Sequence, residues 1–271
     1  RPRLDAEGRF VIEGYAILQP RVTASMPVGR EGSLFQRVFS SMTGIDSYDA
    51  AASDVYQDLF GQGTYSGKGI YDVDTFEAAL AERVPEGSLL SHDLFEGTYA
   101  RAGLVSDIEV VEEYPARYDV AAARNHRWTR GDWQLLPWVF GRRDNAGAGR
   151  RQLPLLGLWK MIDNLRRTLS APTMLLALLT GWLLAPTAAS IWTLFVVMTI
   201  VLPTLLPVLA TALAPRPGVN AISHLRAIGA DLWLSFLQVL LLMTFLAHQA
   251  WLMCDAIART LYRVFVSRRH L

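Results

Sequence analysis

The chain has 271 residues and a formal net charge of +1. That balance carries no electrostatic footprint for nucleic acid, whose phosphates demand a strongly basic face. Cys254 is the single cysteine, which excludes an intrachain disulfide and any cysteine metal cluster.

Composition splits along the chain. Up to about Arg143 it reads as a soluble mixed α/β sequence rich in Asp, Glu, Gly and Tyr; from Leu153 onward Leu, Ala, Val, Trp and Met dominate. The chain opens "RPRLDAEGRF" and closes "VSRRHL", with no leader or terminal pattern, so it is read as a segment of something larger.

In the first half, "GYAILQPRVT" predicts a short buried strand over Tyr15 to Leu18, running into a loop at Pro20. "SLFQRVFSSM" places Leu34, Phe35, Val38, Phe39 and Met42 on one helical face. Next, Gly61, Gly63, Gly67 and Gly69 interleave with Tyr65 and Lys68, a loop or hairpin. Asp74 is expected to cap a helix starting near Thr75, with Glu77 three residues on as in a capping box. "SLLSHDLFEGTYARAG" reads as a second helix closed by Gly103. "LVSDIEVVEEYP" alternates like a strand with Val105, Ile108, Val110 and Val111 inward. "RYDVAAARNHRWTRGDWQLLPW" reads as a third helix ended by Pro137, and no internal repeat is present.

A Gly/Arg linker, "GRRDNAGAGRRQ", leads to "LLGLWKMIDNLRRTL". There Leu155, Leu158, Trp159, Ile162, Leu165 and Leu169 share a face, while Lys160, Asp163, Asn164 and Arg167 lie elsewhere. That suits a helix lying in a membrane interface, the alternative being a helix packed on the soluble part. Three apolar stretches follow, at about 171–185, 188–213 and 230–253. A spanning helix needs about 20 apolar residues; the second and third stretches meet that and the first is short. Trp182, Trp192, Trp233 and Trp251 near stretch ends fit interfacial anchoring. The expected division is therefore 1–145, a soluble domain; 146–170, linker and interfacial helix; and 171–271, membrane helices with a basic tail. Arg142, Arg143, Arg150, Arg151, Lys160, Arg166 and Arg167 precede the first stretch, and Arg259, Arg263, Arg268 and Arg269 follow the last. Positive-inside counting puts both flanks in the cytoplasm. That requires an even number of crossings, and leaves the first stretch open as re-entrant or interfacial.

Two groups of residues carry chemistry. Arg124, Arg127 and Trp128 stand at i, i+3 and i+4, one face of a helix. Two guanidiniums can clamp a diphosphate through bidentate hydrogen bonds, and an indole offers a flat face for a sugar ring. The plainer reading is an Arg-rich anchoring helix. Asp93, in "SHDLFEG", is either a helix N-cap or a general base that takes the proton of a sugar hydroxyl as it attacks an anomeric carbon. The lone apolar setting of Cys254, "WLMCDA", reads as a packed membrane or core thiol.

The order of Asp93, a strand, Arg-x-x-Arg-Trp, an amphipathic helix and membrane spans resembles the processive inverting glycosyltransferases of the cellulose and hyaluronan synthase type. "SHD" stands where those carry T-E-D, and "RNHRW" where they carry Q-x-x-R-W. More closely, "SDVYQDLFGQGTYSGKGIYDVDTFEAAL", "LLSHDLFEG", "VVEEYPARYDVAAARNHRWTRGDWQLLPW" and "HQAWLMCDAIARTLYRVFVSRRHL" resemble the cyclic β-1,2-glucan synthase family. The resemblance implies an α/β fold, the C-terminal part of a GT-A-like domain, followed by α-helical transmembrane segments. It implies UDP-glucose as donor, inverting transfer, and a β-1,2-glucan grown on the protein. The setting is a lipid bilayer, the bacterial inner membrane, with the catalytic domain cytoplasmic. A divalent metal, Mg or Mn, is expected, held by acids upstream of this segment. Asp72 and Asp74 form "DVD" but fit helix capping and are set aside as that motif. For a protein-bound chain a tyrosine hydroxyl is the plausible acceptor, and Tyr56 is favoured over Tyr48, Tyr65 and Tyr71. Lys68 and its glycines are expected to shape the path of the acceptor. A linear periplasmic-glucan glucosyltransferase and a non-catalytic membrane scaffold or export subunit are the alternatives.

Overall fold

Two short strands, β1 (Arg3–Leu4) and β2 (Val11–Glu13), pair antiparallel ahead of the central strand β3 (Ile17–Ala24). The structure is a computed structural model, and it describes residues 1–25, 32–40, 54–81, 89, 93–141, 153–184, 186–213 and 220–267. Ser91, His92, Met42, Tyr48, the arginines at 142, 143, 150, 151, 268 and 269, and most of the linker lie outside the described residues. The described residues are mostly helical, with two small sheets. They fall into two units: residues 1–167 with 255–271, and residues 168–254.

In the first unit, α1 (Leu34–Phe39) begins at Ser33, whose hydroxyl accepts from Gln36 N. Next come α2 (Val55–Phe60), strand β4 (Ile70–Tyr71), α3 (Val73–Leu80) and α4 (Asp93–Ala100). Strand β5 (Ala102–Glu112) pairs parallel to β3, and β4 lies antiparallel on the other side of β3. After these come α5 (Tyr118–Gln134), α6 (Leu136–Val139) and α7 (Leu155–Thr168).

Several sequence expectations are corrected here. β3 does not stop at Pro20 but runs to Ala24. Pro20 and Arg21 are matched by Val105 and Glu109, so β5 bulges through Ser106–Ile108 beside the residue that has no N–H to give. Asp72, not Asp74, caps α3, its carboxylate accepting from Thr75 N at 3.0 Å. The helix over "DLFEGTYA" ends at Ala100, where Arg101 takes a left-handed φ of 51°; Gly103 lies in β5. Pro137 does not end α5, which stops at Gln134; it starts the short α6, where a missing N–H costs nothing. Ile108, Val110 and Val111 are exposed, so the outer part of β5 is covered on neither face.

Two apolar clusters meet at α4. Leu94, Phe95 and Tyr99 pack with Ala79, Leu135, Trp138 and Met161, while Ala100 joins Val11, Ala16, Ile17, Tyr65 and Ala102. A helix buried on nearly every side has little freedom to shift. Asp93 sits at its first position and inherits that rigidity.

The α7 helix presents an inverted pattern. Lys160 (5% exposed), Met161 (1%) and Asp163 (8%) face the rest of the first unit, whereas Leu155 (84%), Trp159 (55%) and Ile162 (42%) face outward. Gly157 lies against Thr98, and a β-carbon there would overlap the Thr98 methyl. Asn164 donates to Asp132 at 3.1 Å. The helix thus docks through Gly157, Lys160, Met161 and Asp163 and leaves Leu155, Trp159 and Ile162 uncovered, the reverse of a soluble surface helix.

The second unit contains α8 (Ser170–Leu184), α9 (Ala189–Leu213) and most of α10 (Ala221–Leu261), which continues as wider π-type turns to Ser267. Leu178, Val196 and Leu246 form its core, and buried Ser235 donates to Thr204 O at 3.3 Å. The α9 helix and the one beginning at Ala221 are long and apolar enough to cross a membrane. The latter begins well before the expected start near residue 230. A third crossing would require α7 and α8, bent by 43° at the break between them, to act as one span. Cys254 is exposed along α10 rather than packed in a protein core.

Candidate active site

Asp93 is enclosed by the glycine loop. At Gly67, φ is 78°, and a β-carbon would stand 2.7 Å from Asp93 Oδ2. Only glycine accepts both that backbone and that neighbour without strain. The loop is tied along its length. Asp54, itself 1% exposed, caps α2 through Tyr56 N at 2.8 Å and takes Thr64 N with its other oxygen. Ser66 N donates to Gln19 Oε1, Gly63 N to Ala102 O at 2.8 Å, and the Tyr15 hydroxyl to Gly61 O at 3.0 Å. Lys160 reaches from α7 to Gly63 O at 2.8 Å and Gln62 O at 3.4 Å.

Burial raises the Asp93 pKa above the ordinary carboxylate value, with the Lys68 ammonium partly offsetting it. A carboxyl tuned upward is a better proton acceptor near neutral pH than a free one. Lys68 is itself held at 2.6 Å by Glu112, at the end of β5. The Tyr65 pKa is raised too, by burial and then by the charges of Glu96 and Asp93.

The arginine helix is built differently. Arg124 lies over the Trp128 ring at 4.7 Å and over the Tyr114 ring at 5.6 Å. Its Nε is buried with no partner among the described residues. Arg127 and Trp128 are exposed. The predicted shared face therefore holds for Arg124 and Trp128, which stack, with Arg127 beside them on the open side. Tyr114 is braced by Phe35 at 6.1 Å and by Gln36 Nε2, which donates to Tyr114 O at 3.2 Å.

Among the described residues no direct contact joins Asp93 to the arginines. They are linked through one segment, in which Glu112 holds Lys68 and Tyr114, two residues on, underlies Arg124. Tyr56 is 9% exposed, and the Lys160 ammonium stands 4.5 Å from its ring centroid.

Sequence reasoning missed Asp54, Glu112, Tyr114 and Lys160. It also missed His126, which lies within "RNHRW" and meets Asp255 of α10 at 2.9 Å; Arg259 takes the other Asp255 oxygen at 2.7 Å. An acid just past the end of a long apolar stretch, with Arg259 four residues on, was the available signal.

Over 270 residues the chain is 46% identical to a cyclic beta-(1,2)-glucan synthase, NdvB, of Rhizobium meliloti (strain 1021). The match takes in 99% of this chain and 9% of that protein, so the chain spans a small part of its relative's length. The resemblance read from the sequence is borne out over this segment. No protein-family model matches the chain.

Proposed function

From the premise that this segment corresponds to part of a cyclic β-1,2-glucan synthase, we propose that it belongs to an inverting glucosyltransferase that builds β-1,2-glucan from UDP-glucose. Asp93 is the general base. It accepts the proton of an acceptor 2-hydroxyl as that oxygen bonds to the anomeric carbon, while the bond from that carbon to the diphosphate breaks and UDP leaves with the electron pair. Arg124 and Arg127 take up the charge on the departing diphosphate, and Trp128 offers its ring to the acceptor sugar. Lys68 lines the approach to Asp93 and trims its pKa. The observation that carries the reading is the Asp93 carboxylate, half-enclosed beneath Gly67 at the head of a fully packed helix.

The fold is read as the C-terminal part of a GT-A-like domain. The proposed setting is a bacterial inner membrane, with this domain on the cytoplasmic side; two helices long and apolar enough to span support the membrane part of that reading. A divalent metal, Mg or Mn, is assigned to acids outside this segment. Among the described residues no three of His, Cys, Asp and Glu gather to hold one, so no step is routed through it. Tyr56 is the proposed attachment point of the glucan.

The test uses the complete membrane protein and labelled UDP-glucose. Asp93→Asn is expected to bind donor normally and to lose about 10²–10⁴-fold in transfer, the usual loss on removing a positioned base. Near-normal incorporation would reduce Asp93 to a helix-start residue. Tyr56→Phe keeps the ring beneath Lys160 and should abolish only protein-bound label, and peptide mapping that finds label elsewhere defeats the Tyr56 assignment. Absence of label from protein altogether would favour a linear glucan.

A further inference from the structure

Lysine is rarely fully buried without a carboxylate partner. Lys160 is 5% exposed, yet among the described residues it forms no ion pair. Its ammonium instead donates to Gly63 O and Gln62 O and lies over the Tyr56 ring. Burying an ammonium is costly unless it is well bound; a methionine would fill the same space without that cost. The two carbonyls it holds open the glycine loop, whose Gly67 rests on the Asp93 carboxylate.

We infer that Lys160 is a positioning residue, holding from the outward-apolar helix α7 the loop that covers Asp93. The inference rests on the reading of Asp93 as the base. It joins two features described separately above. The helix that leaves Leu155, Trp159 and Ile162 exposed is the helix whose opposite side grips the loop. The setting of the loop over the base therefore follows the seating of α7 at the membrane surface.

The grip depends on charge. Burial lowers the Lys160 pKa to about 8, opposed by Asp54. Asp54, the cap of α2, and Tyr56 within it are the titratable groups facing it, and Asp54 already accepts from three backbone N–H groups. Residues 61–64 of the loop bring no titratable side chain. α4 presents Thr98 one turn away at Gly157. On its own helix Asp163 is engaged by Arg166. As pH rises through about 8 the ammonium loses its proton, and the charge-assisted bonds and the cation–π contact weaken together.

The experiment compares the complete membrane protein with its Lys160→Met and Lys160→Arg variants, by backbone hydrogen exchange without substrate and by transfer rate against pH. In Lys160→Met, exchange over residues 61–69 should rise roughly tenfold or more, the scale of losing a charge-assisted hydrogen bond, with α8 to α10 unchanged. Turnover should fall by a similar factor while KM for UDP-glucose holds. Wild-type turnover should decline above about pH 8, and Lys160→Arg, which stays charged, should keep its rate there. Wild-type exchange in the Met variant, or an alkaline limb that the Arg variant leaves in place, would overturn the inference; the Arg variant keeps the question decidable if the Met variant fails to fold. Because exchange is read without substrate, an active Asp93→Asn would sink the base reading while leaving the loop result to stand or fall alone.

Discussion

The surroundings of Asp93 and those of Arg127 show two ways of holding a charge. Asp93 heads a helix packed on both sides, lies under a glycine loop fastened by Asp54, Gln19, Ala102, Tyr15 and Lys160, and has its pKa raised by that enclosure. Arg127 is exposed, one turn beyond Arg124, whose own order comes from stacking on Trp128 and Tyr114. The carboxylate is therefore set before any substrate arrives. The guanidiniums of Arg124 and Arg127 are less enclosed, and under the proposed function they would be the groups that meet the leaving diphosphate. A base must be placed to within a fraction of an ångström of the proton it takes, whereas a diphosphate clamp works over a wider reach. Substitutions on the two sides should consequently fail in different ways.

After Asp93→Asn, the largest effect is expected from Gly67→Ala. The added methyl meets the Asp93 carboxylate and must hold a left-handed backbone, so base or loop must move. A displacement of about 1 Å commonly costs on the order of 10²-fold in rate. Turnover should drop by that scale with donor affinity kept; a variant with wild-type kcat would mean the loop does not govern the base. On the other side, Arg124→Ala and Arg127→Ala should each lose roughly ten- to a hundredfold, as expected when a hydrogen bond to a charged group is removed, chiefly in donor use. Lysine at either position should restore only part, since the planar fork is lost. Arg124→Ala should also loosen Trp128, so acceptor use suffers there and not in Arg127→Ala; equal acceptor kinetics in the two would break the distinction. The smallest effect is Lys68→Met. Removing that ammonium takes away the charge that holds the Asp93 pKa down, so the acid limb of the pH–rate profile should move to higher pH. Because the base must be unprotonated to act, the loss appears at low pH and vanishes above the limb. A limb that stays in place would exclude Lys68 as the group that tunes Asp93.

Much of the local structure was legible because it follows from short-range rules. The helix over "RYDVAAARNHRW" and the stacking of Arg124 on Trp128 follow from i, i+4 spacing. The span at Ala189–Leu213 follows from length and composition. Even near misses were local: Asp72 and Asp74 both precede Thr75, and only geometry decides which carboxylate turns back to its N–H. What could not be read was contact between distant segments. Nothing near Gly67 announces Asp93, which follows it by 26 positions in the sequence, and nothing in "LWKMIDN" says that the lysine rather than the leucines faces protein. The exposure of Ile108, Val110 and Val111 was equally hidden, since alternation marks a strand without saying what covers it.

The seam between α7 and the rest of the first unit bears on how that unit can be handled. By composition the natural place to cut is the Gly/Arg linker, which would remove α7 with the membrane helices. Such a cut would take Met161 out of the main apolar cluster, leave Thr98 facing an empty notch where Gly157 had been, and strip the glycine loop of Lys160. Solubilisation is better sought by keeping α7 and making its outer side polar at Leu155, Trp159 and Ile162, positions that touch no part of the core. The helix that looks like the first piece of the membrane region belongs, in packing terms, to the unit before it, as do the residues from Asp255 onward.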